Sequence, residues 1–237
     1  MLYSLIRNGA SFKEIILTLF VTIPVVLMSL AVHECAHGWV SYKCGDPTAK
    51  SLGRLTLNPI THIDPFGAIS MRLFGFGWAK PVPVNSRYYK HPKWQMALVA
   101  AAGPISNLVM AFVSMLILNL LLLIPATQES VASMITEGGV GSFGGALLYL
   151  LFRMFYQMTW LNIYLAVFNL LPIPPLDGSR ILFIFLPTKA YFAVMRYERY
   201  IQMALFALLF IGVLDVPLEW LANNIYGGMS WIIDLVL

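Results

Sequence analysis

The stretch "AVHECAHGWV", residues Ala31 to Val40, places His33, Glu34 and His37 at the end of the apolar run "IILTLFVTIPVVLMSL". On a helix, His33 and His37 lie four positions apart and share one face, so both imidazoles can reach one metal ion. That spacing, with a glutamate directly after the first histidine, suits a zinc ion held by two histidines and flanked by Glu34 as a general base. The competing reading is a polar cluster that glues helices together or sits at the membrane interface. Lipid weighs against it. An ionisable group inside a span costs about 2.5–3.5 kcal/mol on insertion scales. A structural zinc site returns roughly 10–16 kcal/mol of apparent binding energy.

A catalytic zinc keeps three protein ligands and one open position. Most other acids lie in loops or near the ends of apolar runs. Asp177 differs, because it follows "FNLLPIPPL", where Pro172, Pro174 and Pro175 forbid a regular helix. Irregular backbone at membrane depth lines a cavity or is buried in protein. An Asp-Gly turn leaving the membrane is the plain alternative, and the depth Asp177 shares with His37 favours a ligand. His62 and Asp64 are weaker alternatives; His62 lacks the helical spacing and is expected to serve the loop around it. Cys35 lies off the histidine face and is read as packing. Cys44 has no evident base beside it and is read as an ordinary thiol.

These residues must be positioned by membrane elements. Of the 237 residues, 59% are hydrophobic and 11% are charged, against about a quarter charged in soluble domains. The composition excludes a large soluble domain. The net charge of +4 comes from basic residues in loops, which reads as topology and not as nucleic-acid binding. The expected fold is an all-α polytopic membrane protein of about four to six transmembrane helices, forming a single domain over 1–237. Spans are expected at about 15–42, 94–124, 143–171 and 200–216, each near the 20 apolar residues a crossing needs. The tail 217–237 is either an interfacial segment or a short further span. The first apolar run continues to Trp39 and Val40 and is too long for a signal peptide.

Between the first two spans, 45–93 reads differently. "SLGRLTL" alternates apolar and polar residues, and "GFGWAKPVPVN" is rich in Gly and Pro. This pattern predicts a short β-rich loop, with proline confining one strand to an edge. Eight Lys and Arg residues lie between Lys43 and Lys93, and four more between Arg180 and Arg199. The loop 125–142 holds Glu129 and Glu137 and no basic residue. The positive-inside rule therefore puts the first and third loops in the cytoplasm, and with them both "HECAH" and "LDG". Arg7 and Lys13 sit on the wrong side of this scheme.

Taken in order, "HECAH", "GRLTLNPITHIDPFG", "GFGWAKPVPVN", "AAGPISN" and "NLLPIPPLDG" resemble the site-2 protease family of intramembrane zinc metalloproteases, from His33 to Gly178. The resemblance implies one Zn²⁺ per chain with ligands His33, His37 and Asp177, and Glu34 as the base. It implies that the bilayer-embedded enzyme cuts transmembrane segments of other proteins; the expected setting is a prokaryotic inner membrane, with the basic loops putting the site towards the cytoplasm. The family's motif asparagine falls on Asn169, which either polarises a substrate carbonyl or bonds a neighbouring helix. Asn107, in "AAGPISN", either bonds another helix or shapes the site. The chain is similar to minimal members, with no room for a PDZ or CBS domain. The rivals from other classes are a metal-binding membrane transporter and an inactive membrane scaffold; neither needs Glu34 beside the ligands.

Overall fold

The computed structural model describes residues 12–62, 64, 80–136, 139 and 142–237. Its architecture is helical throughout, and no strand occurs among the described residues. Helix α1 spans Phe12–Lys43, α2 Pro92–Leu122, α3 Pro125–Thr136 and α4 Phe143–Asn169. The short α5, Asp177–Leu182, and α6, Thr188–Arg196, lead to α7, Glu198–Phe210, and α8, Asp215–Asp234.

The bundle is organised around α2, which packs against α1, α4 and α5. Its buried face runs Ala97, Ala100, Gly103, Pro104, Asn107, Ala111, Ser114, Met115 and Leu118. These positions recur every three or four residues and most are small, which lets helices approach closely in lipid. Helix α1 answers with Thr18, Val21, Val25, Ser29, His33, His37 and Ser41 as one buried stripe. Its other faces expose Phe12, Ile16, Phe20, Ile23 and Trp39, as a lipid-facing surface does.

Polar groups tie α4 to α1. Arg153 donates to Thr18 at 2.7 Å, and Gln157 donates to Thr22 at 2.7 Å. On its other side α4 meets α8, where Ile163 and Val167 pack with Ala111 of α2 and Ala222 of α8. Trp160 stacks on Tyr226 at 4.6 Å between ring centroids.

Two helices, Glu14–Lys43 and Pro92–Leu122, are long and apolar enough to cross a membrane, and the α7–α8 pair makes a third if its 82° bend is counted within one span. The expected fourth span, 200–216, is interrupted: α7 stops at Phe210, and α8 takes up most of the tail 217–237. The acidic loop 125–142 contains α3. In the expected β-rich loop, the described flanks carry 3-10 turns at Pro59–His62 and Ser86–Tyr88. The rest of that expectation, at 63 and 65–79, lies outside the described residues.

Candidate metal centre

Helix α1 brings the two histidines together by its own geometry, one turn apart on the buried stripe. Their Nε2 atoms are 3.0 Å apart, with the rings nearly perpendicular at 85°. Asp177 arrives from a different part of the chain. The helix α4 ends at Asn169, and the proline-rich turn delivers Asp177 as the first residue of α5, which packs on α2. Its Oδ2 stands 3.3 Å from His33 Nε2 and 3.2 Å from His37 Nε2. Among the described residues this is the group of His, Cys, Asp or Glu whose donor atoms converge as metal ligands do.

The donor set fits zinc. Tetrahedral zinc with ligands at about 2.0–2.1 Å separates neighbouring donors by roughly 3.3 Å, and the three distances here run from 3.0 to 3.3 Å. The proton positions agree. His37 Nδ1 donates to the Val99 carbonyl at 2.6 Å, and His33 Nδ1 donates to Asn107 Oδ1 at 2.8 Å. With both Nδ1 atoms carrying the proton, both Nε2 lone pairs face the Asp177 carboxylate oxygen. Three acceptors turned towards one point repel one another, and a cation between them removes that repulsion. Fixing the tautomer through the distal nitrogen is the usual way a protein orients histidine ligands.

The support for His33 extends through the bundle. Asn107 Nδ2 donates to Asn162 Oδ1 at 3.1 Å. Asn162 Nδ2 donates to Ser29 Oγ at 2.9 Å, and Ser29 Oγ donates to the Val25 carbonyl at 2.7 Å. Every hydrogen bond in this chain runs away from the metal face, across α1, α2 and α4, and Ser29, Asn107 and Asn162 are fully buried. Gly103, one turn before Asn107, lies against both imidazoles: a Cβ there would overlap His33 and His37. The glycine is what permits α2 to come this close.

Glu34 follows His33 directly on α1, and its Oε2 accepts the Val82 N–H at 2.8 Å. Asn169 donates its amide to the Leu165 carbonyl of its own helix at 2.9 Å. His62 is buried and its Nε2 bonds the Thr56 carbonyl at 2.8 Å; neither it nor Asp64 joins the metal group. Cys35 and Cys44 are free thiols. A separate cavity of about 540 Å³, lined by Arg153, Gln157, Trp160 and Glu219 among others, contains none of the converging ligands. Sequence reasoning missed Asn162, the Val99 carbonyl and Gly103. The signal for Asn162 was an amide among the apolar residues of the second half of α4, and for Gly103 its spacing of four from Asn107.

Comparison with known proteins finds relatives over most of the chain. The sequence profile of Peptidase family M50 matches residues 21–212. The Bacillus subtilis (strain 168) protein named as zinc metalloprotease YwhC is 42% identical over 195 residues, covering 82% of each chain. The Mycolicibacterium smegmatis protein named as zinc metalloprotease Rip2 is 31% identical over 161 residues, covering 64% of this chain and 52% of its own. Its Mycobacterium tuberculosis (H37Rv) namesake is 28% identical over 217 residues, covering 88% and 71%. No solved structure matches the chain. With the profile covering most of the sequence and the ligand geometry lying inside the matched span, the chain belongs to peptidase family M50, the site-2 protease family of zinc metalloproteases.

Proposed function

We propose that this protein is an intramembrane zinc metalloprotease that hydrolyses peptide bonds in or near transmembrane segments of other membrane proteins. The observation that carries the reading is the convergence of His33 Nε2, His37 Nε2 and Asp177 Oδ2 from two helices, with both distal histidine nitrogens already committed as donors. These three residues hold the metal and Glu34 is the base. When bound, zinc acidifies water and polarises a peptide carbonyl. The Glu34 carboxylate takes a proton from the attacking water and delivers it to the departing amine nitrogen as the C–N bond breaks.

We read α1, α2 and α4 as crossings and the bent α7–α8 pair as a fourth, in a prokaryotic cell membrane with the metal towards the cytoplasm. The apolar outer faces of α1 and α2 support the insertion, and the bacterial relatives support the prokaryotic setting. The basic loops support the orientation. A substrate helix hides its backbone, so it must unwind before cleavage. The loop 52–87 then receives it as an added strand; the alternation of apolar and polar residues in "LGRLTL" supports this.

Glu34→Gln tests the reading. It keeps the side chain's size and its bond from Val82 while removing the base. The purified variant in detergent should bind zinc as wild type does and cleave a model transmembrane substrate about 10²–10⁴-fold more slowly. It should also retain uncut substrate. Cleavage at the wild-type rate would exclude Glu34 as the base, whereas zinc binding without any cleavage by the wild-type protein would favour a transporter using the same ligands.

A further inference from the structure

The base is held from outside its own helix, by the short non-helical segment Lys80–Asn85, whose ends are clamped. In Pro81-Val82-Pro83 neither proline has an N–H, so Val82 supplies the one backbone donor of the three. That donor is on Glu34 Oε2 at 2.8 Å. At one end, Arg54 Nη2 donates to the Lys80 carbonyl at 2.7 Å and to the Pro81 carbonyl at 3.3 Å. Its Nη1 donates to the Thr61 carbonyl at 2.5 Å, and the Lys80 N–H donates to the His62 carbonyl at 2.9 Å. At the other end, the Asn85 N–H donates to Asp46 Oδ2 at 2.7 Å. Asp46 is fully buried. It also accepts from Ser41 Oγ at 2.8 Å, from the Thr48 N–H at 3.0 Å and from the Thr48 hydroxyl.

Ser41 belongs to α1, so Asp46 ties the far end of the segment to the helix that carries Glu34. The contact between segment and helix is close. Gly38, one turn beyond Glu34, faces Val82 and Leu55, and a Cβ there would come within 3.0 Å of Val82 and 2.7 Å of Leu55.

We propose that Asp46 and Arg54 are positioning residues for Glu34: they hold Lys80–Asn85 so that the Val82 N–H fixes one carboxylate oxygen and leaves the other for the proton in transit. The proposal rests on Glu34 being the base. Proton transfer demands geometry held to a fraction of an ångström, and a misplacement of about 1 Å costs on the order of a hundredfold in rate. Neither residue belongs to the converging metal group, and both bond the segment that carries the Val82 N–H.

The test is a double-mutant cycle on the full-length, zinc-loaded protein in detergent, with a model transmembrane substrate. Asp46→Asn and Arg54→Gln should each lower kcat roughly ten- to hundredfold, with zinc stoichiometry and KM within about twofold of wild type. Introduced into Glu34→Gln, each should lower the residual rate no further, because the group it positions is already gone. An unchanged kcat would overturn the proposal. So would a loss as large in the Glu34→Gln background as in the wild type, or a loss confined to KM or zinc content. If Asp46→Asn fails to fold, Arg54→Gln and replacement of the Val82 N–H by an ester oxygen carry the same criteria. The outcomes separate the two readings: Glu34→Gln at the wild-type rate removes the base itself, whereas a slow Glu34→Gln beside unaffected Asp46→Asn and Arg54→Gln removes only the clamp.

Discussion

At the scale of single residues, the centre depends on atoms that never touch the metal. His33 and His37 present Nε2 because Asn107 and the Val99 carbonyl occupy Nδ1. His33→Ala or His37→Ala should abolish stoichiometric zinc, measured by metal analysis of the purified protein, and Asp177→Ala should weaken binding. Asn107→Leu is the more telling change. It leaves His33, His37 and Asp177 in place but frees the His33 tautomer and ends the hydrogen-bond chain to Asn162 and Ser29. Zinc affinity should fall about 10–100-fold in a competition titration, as it does when partners of metal-bound histidines are removed. Zinc affinity equal to wild type in Asn107→Leu would show that the carbonyl side of this amide does not orient His33.

At the scale of elements, the junction after α1 holds two chain segments on one carboxylate. Burial pushes the Asp46 pKa up, but hydrogen bonds from the Asn85 and Thr48 N–H groups and the Thr48 and Ser41 hydroxyls outweigh it and hold the carboxyl below its ordinary value. Beside it, burial raises the Tyr89 hydroxyl to about 12, so Tyr89 keeps its proton and its bond with Ser41 Oγ at 2.7 Å throughout the neutral range. The sign for Asp46 follows from linkage. A pKa lowered on folding means that the unfolded chain binds the proton more readily. The stability Asp46 contributes is therefore complete above the ordinary aspartate value of about 3.9 and is lost as pH falls through the lowered folded value. Hydrogen exchange at the Asn85 and Thr48 amides, corrected for intrinsic rates, should be flat down to about pH 4 and rise in stronger acid. In Asp46→Asn that acid step should vanish.

At the scale of the whole molecule, the bundle puts a hydrophilic centre where an apolar chain would otherwise exclude it. Helix α2 lines its buried face with small residues and carries Asn107 among them, while α1 and α4 share a ladder from Arg153–Thr18 to Asn162–Ser29. Charge places the assembly in the bilayer: the basic loops predict that the end of α1 lies in the cytoplasm. Cys44, just past that end, is a free thiol. In intact cells it should resist an impermeant thiol reagent, and it should react once the cytoplasmic face is opened. Labelling from outside would invert the orientation.

The sequence by itself determined whatever depends on neighbours along the chain. Two histidines four apart on an apolar helix share a face wherever that helix goes, so the approach of His33 to His37 was legible from spacing alone. Apolar length marked the ends of α1 and α2 to within a few residues, because crossing a hydrocarbon layer needs a nearly fixed number of helical residues. Asp177 was legible in part, since prolines forbid helix locally whatever the fold. What the tertiary structure decided is the set of contacts between segments far apart in sequence. The partner of His33 is Asn107, 74 residues away, while Asn169, expected to meet a substrate carbonyl or a neighbouring helix, bonds its own helix. Hydropathy carries across the break at 211–214 and hides the bend between α7 and α8; its one mark is Gly212, at φ 74°, followed by Asp215 at the start of α8. The N–H that holds Glu34 belongs to Val82, 48 residues distant. A backbone donor leaves no mark in residue type, so only the folded chain could place it there.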